Sequence, residues 1–150
     1  FAVILPDDLC FGSDLSVICQ MVKLYEQYKC SIIAIEEVPR EETHRYGVIA
    51  GEEESSGIFR VRDMVEKPSV DDAPSNLAII GRYILTPDIF SILENTPSGK
   101  NSELQITDAL RTQAKEGNVI GYKFIGQRFD CGSIEGFMKA SNFVYSKIRT

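Results

Sequence analysis

The sequence predicts an α/β fold with a three-layer, mostly parallel sheet and an inserted hairpin. Three observations support this prediction. A continuous apolar run at residues 1–5 is typical of a strand covered on both faces. Apolar residues then recur at three- and four-residue spacing over residues 13–29, as in an amphipathic helix, and a second apolar strand follows at 31–38. Strand, helix and strand in this order indicate a right-handed parallel crossover unit.

The remaining elements follow in the order expected for one α/β unit. Strands at 46–50 and 58–66 flank an acidic, turn-forming segment at 53–57 and predict the hairpin. The Thr-Pro pair at 86–87 and the Ser-Glu-Leu-Gln run at 102–105 are helix-start signals. The further predicted elements are a loop at 69–75, strands at 77–85 and 119–125, and helices at 86–95, 102–116 and 133–147. We find no repeat or linker, so residues 1–150 are predicted to form a single α/β domain fragment.

Charge and hydropathy limit the classes of partner. The 150 residues carry a net charge of −6, and the Lys and Arg residues are scattered rather than clustered. This pattern argues against a nucleic-acid partner but allows a small anionic ligand held by a few cations. No apolar run approaches membrane-spanning length and no signal-peptide pattern is present, so we expect no membrane partner.

The cysteines favour a reducing compartment. The chain has four cysteines without C-x-x-C spacing and a single histidine, which does not suit a zinc site. Because nothing in the sequence indicates export, reduced thiols and a cytoplasmic location are expected.

An acid and a base lie side by side where the second hairpin strand ends. Glu66 can accept hydrogen bonds from vicinal hydroxyls, and the ammonium group of Lys67 can neutralise a phosphate, so the pair suits a sugar phosphate. Pro68 ends the strand and is expected to hold Lys67 in extended geometry. The ordinary alternative is a solvated hairpin end.

Carboxylates occur at two predicted strand ends. Asp7 and Asp8 follow the first strand, and Asp130 lies between a strand and the last helix. Ligands in open α/β sheets bind at such ends, and Mg²⁺ prefers carboxylate oxygens, so Asp7 and Asp130 could form two sides of a metal clamp. A turn cap and a partner for the helix dipole are the alternatives. Gly47, at the start of a strand, could mark a bulge or a close approach of ligand to backbone.

Taken in order, these motifs resemble the sugar-1-phosphate nucleotidyltransferase family, and within it the bacterial uridylyl branch. The matching segments are residues 1–7, 46–48, 65–68, 73–83, 103–109 and 129–132, which extend over nearly the whole chain. The Ala-Pro-Ser-Asn-Leu-Ala run at 73–78 and the Asp-Cys-Gly run at 130–132 favour the uridylyl branch over the thymidylyl and adenylyl branches. The resemblance implies a fold of the nucleotide-diphospho-sugar transferase type.

The resemblance also implies a reaction and its metal. In that reaction, glucose 1-phosphate attacks the α-phosphorus of UTP with the help of Mg²⁺, giving UDP-glucose and pyrophosphate. By position, Asp7 and Asp130 resemble the metal carboxylates. The implied partners of the protein are therefore glucose 1-phosphate and UTP.

The sugar side of the site is implied in the same way. Glu66 resembles the ligand of the sugar hydroxyls, and Lys67 the cation on the sugar phosphate. Gly47 and Ile79 resemble residues whose backbone contacts the glucose. No protein nucleophile is needed, because positioning and electrostatics account for catalysis of this kind.

One family motif has no counterpart. The nucleotide-binding half of the family opens with a glycine-rich G-x-G-T-R segment, which this sequence lacks, and the chain begins inside a predicted strand without Met. We therefore expect a carboxyl-terminal portion, truncated at the amino-terminal side, that lacks most of the UTP pocket and is inactive alone. Its exposed sheet edge is expected to seek a partner, in a homo-oligomer.

Three other functions stay open at this point. The first is another sugar-1-phosphate nucleotidyltransferase. The second is a glycosyltransferase that uses UDP-sugars, with Asp7 and Asp8 as its metal motif. The third is a non-catalytic module that binds sugar phosphates or mediates oligomerisation.

Overall fold

A computed structural model describes residues 1–97 and 104–148. The elements are β1 (Ala2–Ile4), β2 (Asp8–Gly12), α1 (Val17–Tyr28), β3 (Ser31–Glu37), β4 (Gly47–Ser55), β5 (Ile58–Glu66), β6 (Leu77–Ile84), α2 (Ile89–Asn95), α3 (Ile106–Lys115), β7 (Val119–Lys123), β8 (Gly126–Asp130) and α4 (Ile134–Ile148). A 3₁₀ turn, Arg40–Arg45, precedes β4. The predicted helix start at Ser102 and Glu103 lies outside the described residues.

The α/β class and the inserted hairpin are confirmed, but the prediction of a mostly parallel sheet is wrong for the described residues. The main sheet has the order β1-β6-β3-β7-β5-β4, and β4 also pairs with β6. In the described ranges only β3 and β7 pair in parallel. The reason is that β6 returns after a hairpin and runs opposite to its neighbours β1, β3 and β4. Antiparallel neighbours of this kind need no helical crossover between them.

Helices cover both faces of the sheet, which confirms the three layers. On one face α1 packs Val17, Met21 and Leu24 against β3, β6 and β7. On the other face α2 and α3 pack on the sheet, including its hairpin strands β4 and β5, and enclose a second core that includes Ile35, Met64 and other fully buried aliphatic residues. Burying one such side chain contributes about 1.5–3 kcal/mol. The two cores fix the base of the hairpin against the sheet.

The prediction that residues 1–5 are covered on both faces is wrong. Phe1 is 50% exposed and Ile4 is 54% exposed. The reason is that β1 is the last strand of the sheet in the described chain and pairs through three residues only. Phe1 instead stacks on Phe90, with 5.1 Å between the ring centroids.

A second, two-stranded sheet of β2 and β8 was not predicted. The two strands pair antiparallel, with Asp8 opposite Asp130. Phe11 of β2 and Phe129 of β8 contact Phe143, which fixes α4 on this small sheet. The pairing brings the segment after β1 next to the segment before α4, and so brings together the two predicted carboxylate positions.

In the described ranges, no helix is long and apolar enough to span a membrane.

Candidate functional site

A cavity of about 430 Å³ lies where the main sheet, the base of the hairpin, the small sheet and α3 meet. It is lined by all six residues singled out from the sequence, Asp7, Gly47, Glu66, Lys67, Ile79 and Asp130. A larger groove of about 610 Å³ lies between α2 and α3 and contains none of them. We therefore treat the smaller cavity as the candidate site.

Glu66 lies at the floor of the cavity with a fixed carboxylate. It ends β5 directly opposite Gly47, the first residue of β4. The hydroxyl of Thr107 donates to Glu66 Oε2 at 2.6 Å. Thr107 is buried in the first turn of α3 and was not assigned a role from the sequence, although it lies in a matching segment. The helix thereby orients a carboxylate that the hairpin supplies.

Gly47 keeps this floor open. A Cβ atom at Gly47 would lie 3.1 Å from both Glu66 Oε2 and Ile79 Cδ1, and 3.4 Å from Thr107 Oγ1. The two distances of 3.1 Å are shorter than ordinary van der Waals contacts. A side chain at this position would therefore occupy space between the carboxylate and the adjacent strand β6.

Lys67 leaves the sheet in an unexpected conformation. Its φ of +45° lies in the left-handed region, so the predicted extended geometry is wrong. The reason is tertiary: the Lys67 N–H donates to the Tyr46 carbonyl at 3.0 Å, and Pro68 is buried. In residues 1–97 and 104–148 the exposed side chain of Lys67 has no ion-pair partner. Its ammonium group is available to an anionic ligand.

Asp7 and Asp130 flank a small empty space above Gly132. A Cβ atom on Gly132 would lie 3.1 Å from Asp130 Oδ1 and 3.6 Å from Asp7 Oδ2. Asp130 Oδ2 accepts hydrogen bonds from Arg45 Nη2 at 2.7 Å and from the Tyr46 hydroxyl at 2.9 Å. Asp130 Oδ1 accepts only the Gly132 N–H, at 3.1 Å, from the described residues. One oxygen of each carboxylate thus faces the same point.

These two carboxylates fit a hard divalent cation. No group of three or more His, Cys, Asp or Glu side chains in the described residues could hold a metal ion alone. A Mg²⁺ site commonly takes one or two carboxylates from the protein and completes its shell with phosphate oxygens and water. Asp7 and Asp130 match that arrangement.

Asp8, in contrast, has a structural position. It is 8% exposed and forms a close ion pair with Arg128 Nε, while its Oδ2 accepts the Gly81 N–H at 2.8 Å. Arg128 also donates to Glu36 Oε2 at 3.1 Å. Burial lowers the pKa of Arg128, but its interactions with Asp8 and Tyr46 together outweigh burial, so the net pKa is above its ordinary value. The sequence analysis assigned Asp7 rather than Asp8 to the metal clamp, but it gave Asp8 no structural role and did not single out Arg128.

Two tyrosines complete the walls of the cavity. Burial raises the pKa of Tyr83 to about 12, with smaller contributions from the charges of Glu66 and Asp8. Its hydroxyl has no hydrogen bond to any described residue. The pKa of Tyr46 is also raised, first by burial and then by its hydrogen bond to Asp130, so its hydroxyl stays a donor at neutral pH. Both residues lie in matching segments, but neither had an assigned role.

The sequence matches the nucleotidyl transferase family over residues 1–147. It is 62% identical to the UTP–glucose-1-phosphate uridylyltransferase of Pseudomonas aeruginosa over 149 residues, which are 99% of this chain and 53% of that protein. It is 45% identical over 141 residues to the protein of the same name from Staphylococcus epidermidis, covering 94% of this chain and 49% of the relative. The chain therefore spans about half the length of the curated relatives it matches.

Solved structures agree with this match. A UDP-glucose pyrophosphorylase complexed with UDP-glucose superposes with a TM-score of 0.93 and 62% identity, over 98% of this chain and 56% of that one. A UTP-bound UGPase from Acinetobacter baumannii gives a TM-score of 0.79 and 37% identity, over 93% and 48%. The sequence match over residues 1–147 and the shared fold lead to one conclusion, that the chain belongs to the nucleotidyl transferase family.

Proposed function

We propose that this chain forms the sugar-phosphate and metal side of a UTP–glucose-1-phosphate uridylyltransferase. In the proposed reaction a phosphate oxygen of glucose 1-phosphate forms a bond to the α-phosphorus of UTP. The bond from that phosphorus to the oxygen bridging to the β-phosphate breaks, so that UDP-glucose forms and pyrophosphate leaves. The observation that carries this proposal is the meeting of all six sequence-derived residues in one cavity.

The proposed sugar side is the floor of the cavity. Glu66, held by Thr107, would accept hydrogen bonds from the sugar hydroxyls. Gly47 and Ile79 would contact the sugar through their backbone. The ammonium group of Lys67, which has no ion-pair partner among the described residues, would bind the phosphate of the sugar. A fixed carboxylate beside a free cation is the chemistry that a sugar phosphate requires.

The proposed metal side is the pair Asp7 and Asp130. Bound Mg²⁺ would reduce the repulsion between the two polyanionic substrates and stabilise charge on the phosphoryl oxygens. Other residues of this chain hold the two carboxylates in place. Arg45 and Tyr46 donate to Asp130, and the Cys131 N–H donates to the Asp7 carbonyl at 2.7 Å. Such preorganisation supplies most of the catalysis in phosphoryl-type transfer.

The contacts of Asp8 do not favour the alternative of a UDP-sugar glycosyltransferase. That function assigns both Asp7 and Asp8 to the metal. Both carboxylate oxygens of Asp8 already have partners, Arg128 and the Gly81 N–H, and the residue is buried.

The proposal is tested by exchanging segments. In the Pseudomonas aeruginosa relative, the segment that this chain matches is replaced by the chain itself, and UDP-glucose formation from UTP and glucose 1-phosphate is measured. We expect an active, Mg²⁺-dependent chimera, and no turnover from the 150-residue chain alone. A folded chimera without activity would contradict the proposed function, and normal turnover by the chain alone would contradict the expected lack of a UTP pocket.

Replacing Gly47 by alanine tests the floor of the cavity. We expect the affinity of the chain for glucose 1-phosphate to fall by roughly tenfold to a hundredfold, because the new methyl group displaces the sugar from Glu66. Isothermal titration calorimetry gives the dissociation constant. Gly117→Ala, outside the cavity and at φ +79°, is the control for destabilisation alone: it should lower the free energy of unfolding and leave the affinity unchanged. Equal affinities for Gly47→Ala and the unaltered chain would contradict the assignment of Gly47.

The cytoplasmic location and the homo-oligomer remain predictions. The outer edge of β1 has no strand partner in the described chain, and Phe1 and Ile4 beside it are about half exposed. Sedimentation equilibrium of the chain measures its mass, and a monomer at all concentrations would contradict self-association through this edge.

A further inference from the structure

We propose that Tyr46 is a positioning residue, which fixes the Asp130 carboxylate for a divalent cation. This inference rests on the proposed function, because it requires Asp130 to be a metal ligand. The Tyr-Gly-Val segment was assigned a role from the sequence only through Gly47. The structure gives the tyrosine a role of its own.

The hydroxyl of Tyr46 controls one oxygen of Asp130. It donates to Asp130 Oδ2 at 2.9 Å, beside the contact from Arg45 at 2.7 Å. With Oδ2 held by two donors, the carboxylate cannot rotate freely. Its Oδ1 is left facing Asp7 Oδ2 across the position that a Cβ on Gly132 would fill.

The ring of Tyr46 is itself held between two cations. The guanidinium group of Arg45 lies 5.3 Å from the ring centroid and that of Arg128 lies 5.1 Å from it. Arg128 is fixed by its buried pair with Asp8. Cation–π contacts at these distances keep an aromatic ring in place without a covalent constraint. These two contacts restrict the ring of Tyr46, and with it the hydroxyl that donates to Asp130.

The backbone of Tyr46 contacts Lys67, which belongs to the proposed sugar side of the site. Its carbonyl accepts the Lys67 N–H at 3.0 Å, and its own N–H donates to the Thr43 carbonyl at 3.1 Å. One residue thus contacts a proposed metal ligand through its side chain and the proposed phosphate ligand through its main chain. Because the side chain and the main chain contact different partners, removing the hydroxyl alone separates the metal role from the sugar role.

The substitution Tyr46→Phe keeps the ring beside the two guanidinium groups and removes the hydroxyl, which donates to Asp130 and also contacts Arg128. We expect Mn²⁺, used as the probe cation, to bind roughly 10–100-fold more weakly, the usual loss when a partner of a metal ligand is removed. Free Mn²⁺ in a titration of the chain is measured by electron paramagnetic resonance. Asp130→Asn is expected to abolish the same binding.

Tyr122→Phe is the matched control. The Tyr122 hydroxyl donates to Gln20 Oε1 at 3.0 Å, outside the cavity, so its loss removes a comparable hydrogen bond without touching Asp130. We expect unaltered Mn²⁺ affinity and a similar small change in melting temperature.

The outcomes separate the inference from the proposed function. If Asp130→Asn abolishes Mn²⁺ binding but Tyr46→Phe binds as well as the unaltered chain, the positioning role is wrong and the metal site stands. If Tyr46→Phe melts far below Tyr122→Phe, its role is structural and the inference is overturned. If the unaltered chain binds no Mn²⁺, the metal assignment and the inference both fail.

Discussion

Lys67→Ala in the chimera described above is expected to lower the kcat/KM for UDP-glucose formation by roughly 10²–10³, the usual loss when one preorganised group at a reacting phosphate is removed. The ammonium group has no ion-pair partner in the described residues, so no other interaction of the protein is lost with it. The side chain is exposed, and folding should be intact. Steady-state kinetics and circular dichroism measure the two effects, and unchanged activity would disprove the role of Lys67.

The conformation of Lys67 supplies an independent control. A non-glycine residue at φ +45° carries roughly 1–2 kcal/mol of backbone strain. Lys67→Gly should therefore be as inactive as Lys67→Ala but more stable by about 1 kcal/mol, measured by urea denaturation. Lys29→Gly, at φ +54° beyond the end of α1, should show the same stabilisation with full activity. If the Gly and Ala variants at position 67 are equally stable, the left-handed backbone is not a source of strain.

The site could be predicted from the sequence because its residues lie at the ends of strands. Asp7 follows β1, Glu66 ends β5 and Asp130 ends β8. At such ends the apolar pattern stops and charged side chains stand out in the sequence. The helices and most strands were within a few residues of the prediction for the same reason, since local periodicity determines them. Local patterns singled out Asp7, Gly47, Glu66, Lys67 and Asp130, whereas Ile79 came only from the family resemblance.

What could not be predicted depends on contacts distant in sequence. The direction of β6 and the pairing of β2 with β8 follow from how the hairpin and the small sheet close, which no local pattern encodes. The same holds for single residues. Thr107 is relevant because α3 places it on Glu66, and Lys67 is left-handed because Tyr46 accepts its N–H. Propensity alone would place Lys67 in extended geometry.

The buried pair of Asp8 with Arg128 is the clearest example, and it yields the largest expected effect on stability. The Arg128 side chain is 6% exposed and that of Asp8 is 11% exposed, so this pair is shielded from water, whereas the second partner of Arg128, Glu36, is more exposed. Removing one member of a buried pair leaves the other charge without compensation, which costs about 3–5 kcal/mol. Arg128→Met should therefore lower the free energy of unfolding by that amount, and the melting temperature by on the order of 10 °C.

The double variant Asp8→Asn/Arg128→Met decides whether the pair causes this loss. Asparagine is neutral and can still accept the Gly81 N–H, so the double variant should be more stable than Arg128→Met alone. Arg111→Met is the control, because the pair of Arg111 with Asp63 is about 40% exposed on both sides and should be worth at most about 1 kcal/mol. Urea denaturation of the unaltered chain, Asp8→Asn, Arg128→Met and the double variant gives the coupling energy. If the losses of the single variants simply add, an uncompensated buried charge is not their cause. The Cys131 N–H and the pairing of β2 with β8 would then be the contacts that hold the segment of Asp7 and Asp8.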